Sequence, residues 1–291
     1  MSLPEPSQPP TDSASDAGEM WRRYPQGTGE GHTVVGDLRV FEGFHSARLG
    51  NRRDVLVYLP PSYESGTARY PVLYMQDGQN LFNEATAFAG EWRVDNTMNR
   101  LSRKRGLEAI VVGVFNAGGD RLHEYSPFED DDHGGGRGDR YLGFLADALK
   151  PRIDRDFRTR PDRANTFIAG SSMGGLISLY AFFRRPEVFG GAAAMSPSLW
   201  FADGALFSFV EAAPFTPGRL YLDVGTGEGE GVLADVRRMK SLLLERGYRP
   251  RRDLLYVERA QARHSERAWR QRFRRAAAFL LRGTPGGEEG G

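Results

Sequence analysis

The residues of this chain best suited to covalent chemistry form one short run, Gly170-Ser171-Ser172-Met173-Gly174-Gly175. With Ser172 at its centre the run fits G-x-S-x-G, and its flanks give the pattern meaning: an apolar stretch at 166–169 precedes it and a helical pattern at 176–184 follows. A turn this tight from strand to helix strains its central residue and crowds the positions two before and two after, where Gly170 and Gly174 stand. Ser172 Oγ would project above a sheet at a helix N-terminus, where the dipole favours developing negative charge. The chemistry is attack by an activated serine on an acyl carbonyl. Ser171 is the fallback, but it fails the glycine spacing.

A serine nucleophile needs a base, and the base needs an acid to orient it. The histidines are His32, His45, His123, His133 and His264. Where such an elbow caps a strand of an open α/β sheet, the partners follow in the order Ser, acid, His, and only His264 lies after Ser172. It comes after the apolar stretch 254–257 and just before a helical pattern starting near Ser265, so it is expected on a loop at a strand's carboxyl end. The acid is expected after the stretch 220–224, in Gly225-Thr226-Gly227-Glu228-Gly229-Glu230. Glu228 is the first choice, accepting from His264 Nδ1–H. Asp223 is near enough to the strand to be structural, and Glu230 and Asp235 are weaker rivals.

The elements that would position these groups alternate strand and helix. Residues 33–44 and 54–59 read as antiparallel opening strands, because the connection is too short for a helical crossover. Apolar runs at 72–75, 109–115, 166–169, 191–195, 220–224 and 254–257 read as buried parallel strands. Residues 141–153 place Leu142, Leu145, Leu149 and Ile153 on one helical face, and 233–244 and 265–281 are also helical in period. The last carries Trp269, Phe273, Ala276 and Leu280 as its stripe. The fold class expected is α/β, a mostly parallel sheet with helices on both faces and reacting groups at the carboxyl ends of its strands.

The chain has 291 residues, 40% of them hydrophobic and 11% aromatic, enough for a sizeable core. Residues 1–31, rich in Pro, Ser, Gly and Asp, read as a flexible leader, 284–291 as a flexible tail, and 32–283 as one domain. Lys+Arg of 39 against Asp+Glu of 38 leaves +1, so no global field points to nucleic acid. The absence of cysteine excludes disulfides, thiolate metal sites and cysteine nucleophiles. No apolar run is long enough for a membrane span and the leader lacks an apolar signal-peptide core, so a cytoplasmic protein is expected.

Further segments carry a family resemblance. They are Tyr74-Met75-Gln76-Asp77-Gly78-Gln79-Asn80-Leu81-Phe82, Glu91-Trp92-Arg93-Val94-Asp95, Arg121-Leu122-His123-Glu124-Tyr125-Ser126-Pro127 and Met195-Ser196-Pro197-Ser198-Leu199-Trp200. With the elbow, and with His264 followed by Glu266 and Trp269, the chain over about 33–282 resembles the putative-esterase family of α/β-hydrolases. That family holds feruloyl and acetylxylan esterases, esterase D, enterochelin-type siderophore esterases and mycolyltransferases. The resemblance implies an α/β-hydrolase fold, a small-molecule ester substrate, no cofactor, and an oxyanion hole from the backbone N–H groups of Met173 and Gln79. It implies that Asp77 braces the oxyanion loop, and that Trp92 and Trp200 wall the substrate pocket. Acyl transfer or hydrolysis of a siderophore lactone would use the same machinery. A catalytically silent binding module is the alternative from a different class.

Other features are read as structural. Glu129-Asp130-Asp131-Asp132-His133 lacks the spacing of a calcium loop and reads as a solvated, mobile loop near the site mouth, with no metal assigned. Arg263, Arg267, Arg270, Arg272, Arg274 and Arg275 read as the solvated face of the last helix. The long segment 82–105 is a candidate lid.

Overall fold

In the computed structural model the described residues are 20–25 and 31–283. The strands are β1 (Arg22–Arg23), β2 (Asp37–Ser46), β3 (Asn51–Leu59), β4 (Val72–Met75), β5 (Ile110–Val114), β6 (Glu129–Asp130), β7 (Gly134–Gly135), β8 (Thr166–Ser171), β9 (Gly191–Met195), β10 (Arg219–Gly225) and β11 (Leu254–Arg259). The helices are α1 (Val94–Arg105), α2 (Arg121–Glu124), α3 (Gly138–Gly143), α4 (Lys150–Asp156), α5 (Met173–Arg184), α6 (Phe201–Ala212), α7 (Glu230–Glu245) and α8 (Glu266–Leu281). A π-helical segment, Phe144–Leu149, joins α3 to α4 just before Pro151, whose ring nitrogen has no hydrogen to give the preceding turn.

The main sheet runs β1-β2-β3-β5-β4-β8-β9-β10-β11. β1, β2, β3 and β5 pair antiparallel, and from β5 to β11 every pairing is parallel. This is the mixed α/β sheet expected, of α/β-hydrolase type. Every residue of β4, β5, β8 and β9 is buried, as strands covered on both faces must be. Side chains alternate across the pleat, so the sheet divides its own core. Val72, Tyr74, Ile168 and Leu222 pack with α5, α6, α7 and the 138–156 helical stretch, while Leu73, Met75, Phe167 and Tyr221 pack with α1 and α8. No helix among the described residues is long and apolar enough to cross a membrane.

The structure bears on three segments. Inside the segment read as a flexible leader, Arg22–Arg23 pairs with Val40 and Arg39 of β2. Trp21 anchors it, with its ring 5.3 Å from Phe41 and 5.1 Å from Phe157. Tyr24 adds a second anchor, its N–H donating to the Leu38 carbonyl at 2.9 Å and its OH accepting from Asn83 Nδ2 at 3.0 Å, and averaged composition conceals both aromatics. The rest of the leader, 1–19 and 26–30, and the tail 284–291 lie outside the described residues. The acidic run is exposed as read at Glu129, Asp131, Asp132 and His133, but it is ordered by a hairpin of β6 and β7, and Asp130 accepts from His133 Nδ1 at 2.8 Å and from Ala202 N–H at 3.0 Å. The candidate lid is half helix: Val94, Met98 and Leu101 of α1 are buried with α8, and only the stretch before it reaches the site.

Behind the site lies a buried ion pair. Arg53 of β3 donates to both oxygens of Glu124, at 2.7 and 2.8 Å, with 1% and 2% of the two side chains exposed. Glu124 ends α2, and Tyr125 beside it accepts the Asp77 N–H at 3.2 Å. Glu124→Gln therefore leaves a buried guanidinium without its counter-charge, with Asn51 Oδ1 still accepting from it at 2.8 Å, and urea unfolding is expected to show a loss of about 3–5 kcal/mol. A loss under about 1 kcal/mol would show that water or a neighbour relieves Arg53, contrary to this account.

Candidate active site

Each chemically capable group sits where a strand of the parallel sheet ends. Ser172 follows β8 and caps α5 with φ 56°, ψ −125°, a conformation few side-chain-bearing residues adopt. The turn closes because Gly170 has no side chain: a Cβ there would lie 2.6 Å from the Gly174 carbonyl. Ser172 N–H donates to the Met195 carbonyl at 3.0 Å, tying the turn to β9. Met173 opens α5, so its N–H has no intrahelical acceptor.

The loop after β4 is braced from several sides. Asp77, itself left-handed at φ 56°, takes Arg121 Nε at 2.7 Å, Arg121 Nη2 at 2.9 Å and Asn116 Nδ2 at 2.7 Å. Burial alone would lower the Arg121 pKa, but the Asp77 carboxylate more than offsets it and the guanidinium is held charged. Gln79 lies in the 3₁₀ turn Gly78–Asn80; its side-chain oxygen accepts Asn116 N–H at 3.3 Å and its carbonyl accepts Thr86 Oγ at 2.8 Å. Asp77 is thus occupied as a brace.

Glu228, on the loop after β10, meets His264, on the loop after β11, through His264 Nδ1 at 2.8 Å from Oε2. The Glu228 side chain is fully buried, and its other oxygen accepts Gly225 N–H and Ser196 Oγ, each at 2.7 Å. Burial pushes this carboxyl up, but the bonds from His264, Ser196 and Gly225 outweigh it and hold the pKa below the ordinary glutamate value. Asp223 plays another part: buried in β10, it accepts from Tyr221 OH at 2.8 Å and Ser196 N–H at 3.1 Å, and lies 3.2 Å from Arg272 Nε. Burial raises its pKa to about 6, against the pull of Arg272. Glu230 and Asp235 fall in α7, and the carboxylate bonded to the histidine is that of Glu228.

Ser172, His264 and Gln79 line one cavity of about 810 Å³. Its aromatic walls are Trp92, Trp269, Phe88 and Phe115, and its polar wall includes Arg121 and Glu266. Burial and the neighbouring Asp77 charge push the Glu266 carboxyl above its usual range. The arrangement combines a strained serine, an oriented imidazole and a partly apolar recess, the parts needed for acyl chemistry.

The sequence profile of the family described as "Putative esterase" matches residues 46–280. The chain belongs to this family. It is a carboxylic ester hydrolase. Among its relatives, the uncharacterized protein YbbA of Bacillus subtilis is 26% identical over 233 residues, 75% of this chain and 88% of YbbA. Ferri-bacillibactin esterase BesA of the same organism is 28% identical over 193 residues, 60% of this chain and 62% of BesA. In fold, a crystal structure of the BES protein from Bacillus cereus matches with a TM-score of 0.68 at 19% identity, covering 88% of this chain and 99% of that one.

One expected pocket residue of this esterase is misplaced. Trp200 does not line the cavity; the residue is 47% exposed and its ring lies 5.4 Å from His133 and 5.8 Å from Phe201, beside the β6–β7 hairpin. The chain turns away just after β9, and Trp269 takes the wall instead, its ring edge-on to His264 at 4.8 Å. Nor is the arginine-rich face of α8 wholly solvated. Arg272 is buried between the two carboxylates, 3.2 Å from Asp223 and 3.5 Å from Glu228, and donates to Ser196 Oγ at 2.7 Å. Its spacing carried the signal: Arg272 is three residues past Trp269 and next to Phe273, within the apolar stripe. Ser196, which also accepts Trp269 Nε1–H at 3.0 Å, had no signal beyond its place in the resemblance.

Proposed function

We propose that this esterase cleaves small-molecule carboxylic esters through an acyl-enzyme on Ser172, with His264 as base and then acid, Glu228 as the orienting carboxylate, and the N–H groups of Met173 and Gln79 as the oxyanion hole. Residues 32–283 form the catalytic unit, with Trp21 and β1 docked on it. The observation that carries the reading is the 2.8 Å bond from His264 Nδ1 to a buried, ionised Glu228, with His264 and Ser172 lining one cavity. Glu228 fixes the tautomer that leaves Nε2 free to accept the Ser172 proton. Attack forms the Oγ–C bond as the carbonyl electron pair moves to oxygen, where two backbone donors receive it. Collapse expels the alcohol, which takes the proton from His264, and water repeats the sequence to release the acid.

The recess walled by Trp92, Trp269, Phe88 and Phe115 favours an aromatic or short apolar acyl or alcohol group beside the nucleophile. Relatives named an endo-1,4-beta-xylanase/feruloyl esterase and a ferri-bacillibactin esterase support that class. A fluorophosphonate probe is expected to label the protein once, on the peptide that carries Ser172. Labelling at Ser171, or none on folded protein, would defeat the assignment and favour a binding module.

A further inference from the structure

Ser172 has one contact that the triad does not use. Ser198, on the loop after β9, places its Oγ 3.1 Å from Ser172 Oγ, and its N–H donates to the Ser172 carbonyl at 3.1 Å. Ser198 is 4% exposed. The loop is fixed: Leu199 N–H donates to the Pro197 carbonyl at 2.8 Å and Phe201 N–H to the Ser198 carbonyl at 3.2 Å. Two residues earlier Ser196 donates to Glu228. The Ser196-Pro197-Ser198 run therefore touches the acid with one hydroxyl and the nucleophile with the other.

We propose that Ser198 is a positioning residue for the nucleophile, donating its hydroxyl hydrogen to Ser172 Oγ. This rests on the reading of Ser172 as nucleophile. Ser172 must give its own hydrogen to His264, so in the pair Ser198 is the donor and Ser172 the acceptor. That bond occupies one lone pair, turns the Ser172 O–H away from Ser198, and leaves the other lone pair for the carbonyl carbon. Ser198 keeps its proton throughout. When the acyl-enzyme breaks down, the Oγ–C bond opens and negative charge returns to Oγ until His264 delivers its proton; the Ser198 hydroxyl stabilises that charge. Both half-reactions gain, and substrate binding does not.

Ser198→Ala removes only the hydroxyl and keeps the backbone bond to Ser172. With a p-nitrophenyl ester it is expected to lower kcat roughly 10- to 100-fold, with KM within about threefold of wild type. The rate of fluorophosphonate labelling should fall in step, with an unchanged melting temperature, because the nucleophile itself is less reactive. A kcat and labelling rate within about threefold of wild type would overturn the proposal, as would a loss confined to KM, which would mark a packing role. Ser172→Ala, assayed alongside, separates the two ideas: if it turns over ester normally, the nucleophile assignment has failed, not the placement of Ser198 alone.

Discussion

Ser172→Ala is expected to lower kcat for a p-nitrophenyl ester by roughly 10⁴–10⁶, with KM within about threefold of wild type. The loss is large because the proposed mechanism runs through Ser172 Oγ, which lines one cavity with His264. Without Oγ there is no acyl-enzyme, and the oxyanion donors and cavity walls keep only the residual rate that binding and electrostatics supply. The variant should fold: alanine and serine pay a similar cost at φ 56°, and the Ser172 N–H bond to Met195 is a backbone bond. Ser171→Ala, the adjacent control, should stay within about threefold of wild type in kcat. Steady-state kinetics of the two variants, with melting curves to show folding, decide the matter. A Ser172→Ala enzyme within tenfold of wild type would end the assignment.

Glu228→Gln is expected to cost kcat roughly 10³–10⁴, although it changes one oxygen to an NH₂ group. The reason is the direction of hydrogen bonds around the side chain. Gly225 N–H and Ser196 Oγ–H point at Oε1, so the amide oxygen must stay there and the NH₂ group must face His264. An NH₂ group donates, and it selects the tautomer with the lone pair on Nδ1 and the hydrogen on Nε2, the wrong one for taking a proton from Ser172. Asp223→Asn should lose less than about tenfold in kcat, since Asp223 reaches His264 only through Ser196 and Arg272. The two variants assayed at one pH test the acid directly. Equal losses would make the buried pair a shared acid rather than Glu228 alone.

The pH dependence of stability follows from the same burial. The Glu228 carboxyl is held below its ordinary value, so its contribution is present above the unfolded pKa and is lost as pH falls through the folded one. Asp223 works the other way: raised to about 6, its ionised form is disfavoured by burial, so its contribution declines as pH rises between its ordinary value of 3.8 and 6.

How much of this was legible in the chain depends on the range of the interactions involved. The elbow was legible because its parts are local: the apolar strand, the two glycines and the helix lie within about 20 residues, and sterics alone link them. The parallel strands were legible as unbroken apolar runs, since burial on both faces leaves no room for polar alternation. Chain order singled out His264, but the end of β10 and the residues after it offered Glu228 beside Asp223, Glu230 and Asp235. The Trp21 anchor was not legible, because its ring docks by meeting Phe41 and Phe157, and neither is near it in sequence. The direction of Trp200 was equally hidden, decided by a turn after β9.

By itself the sequence determined the α/β class, the strand-ending loops that could react, and the serine and histidine that fit them, because those follow from local sterics and periodicity. Only the tertiary structure decided which acid meets the imidazole, that Arg272 is buried between two carboxylates, and that Trp269 rather than Trp200 walls the cavity. Each of these joins groups many residues apart, and the desolvation that sets their charges exists only once the sheet and α8 have packed.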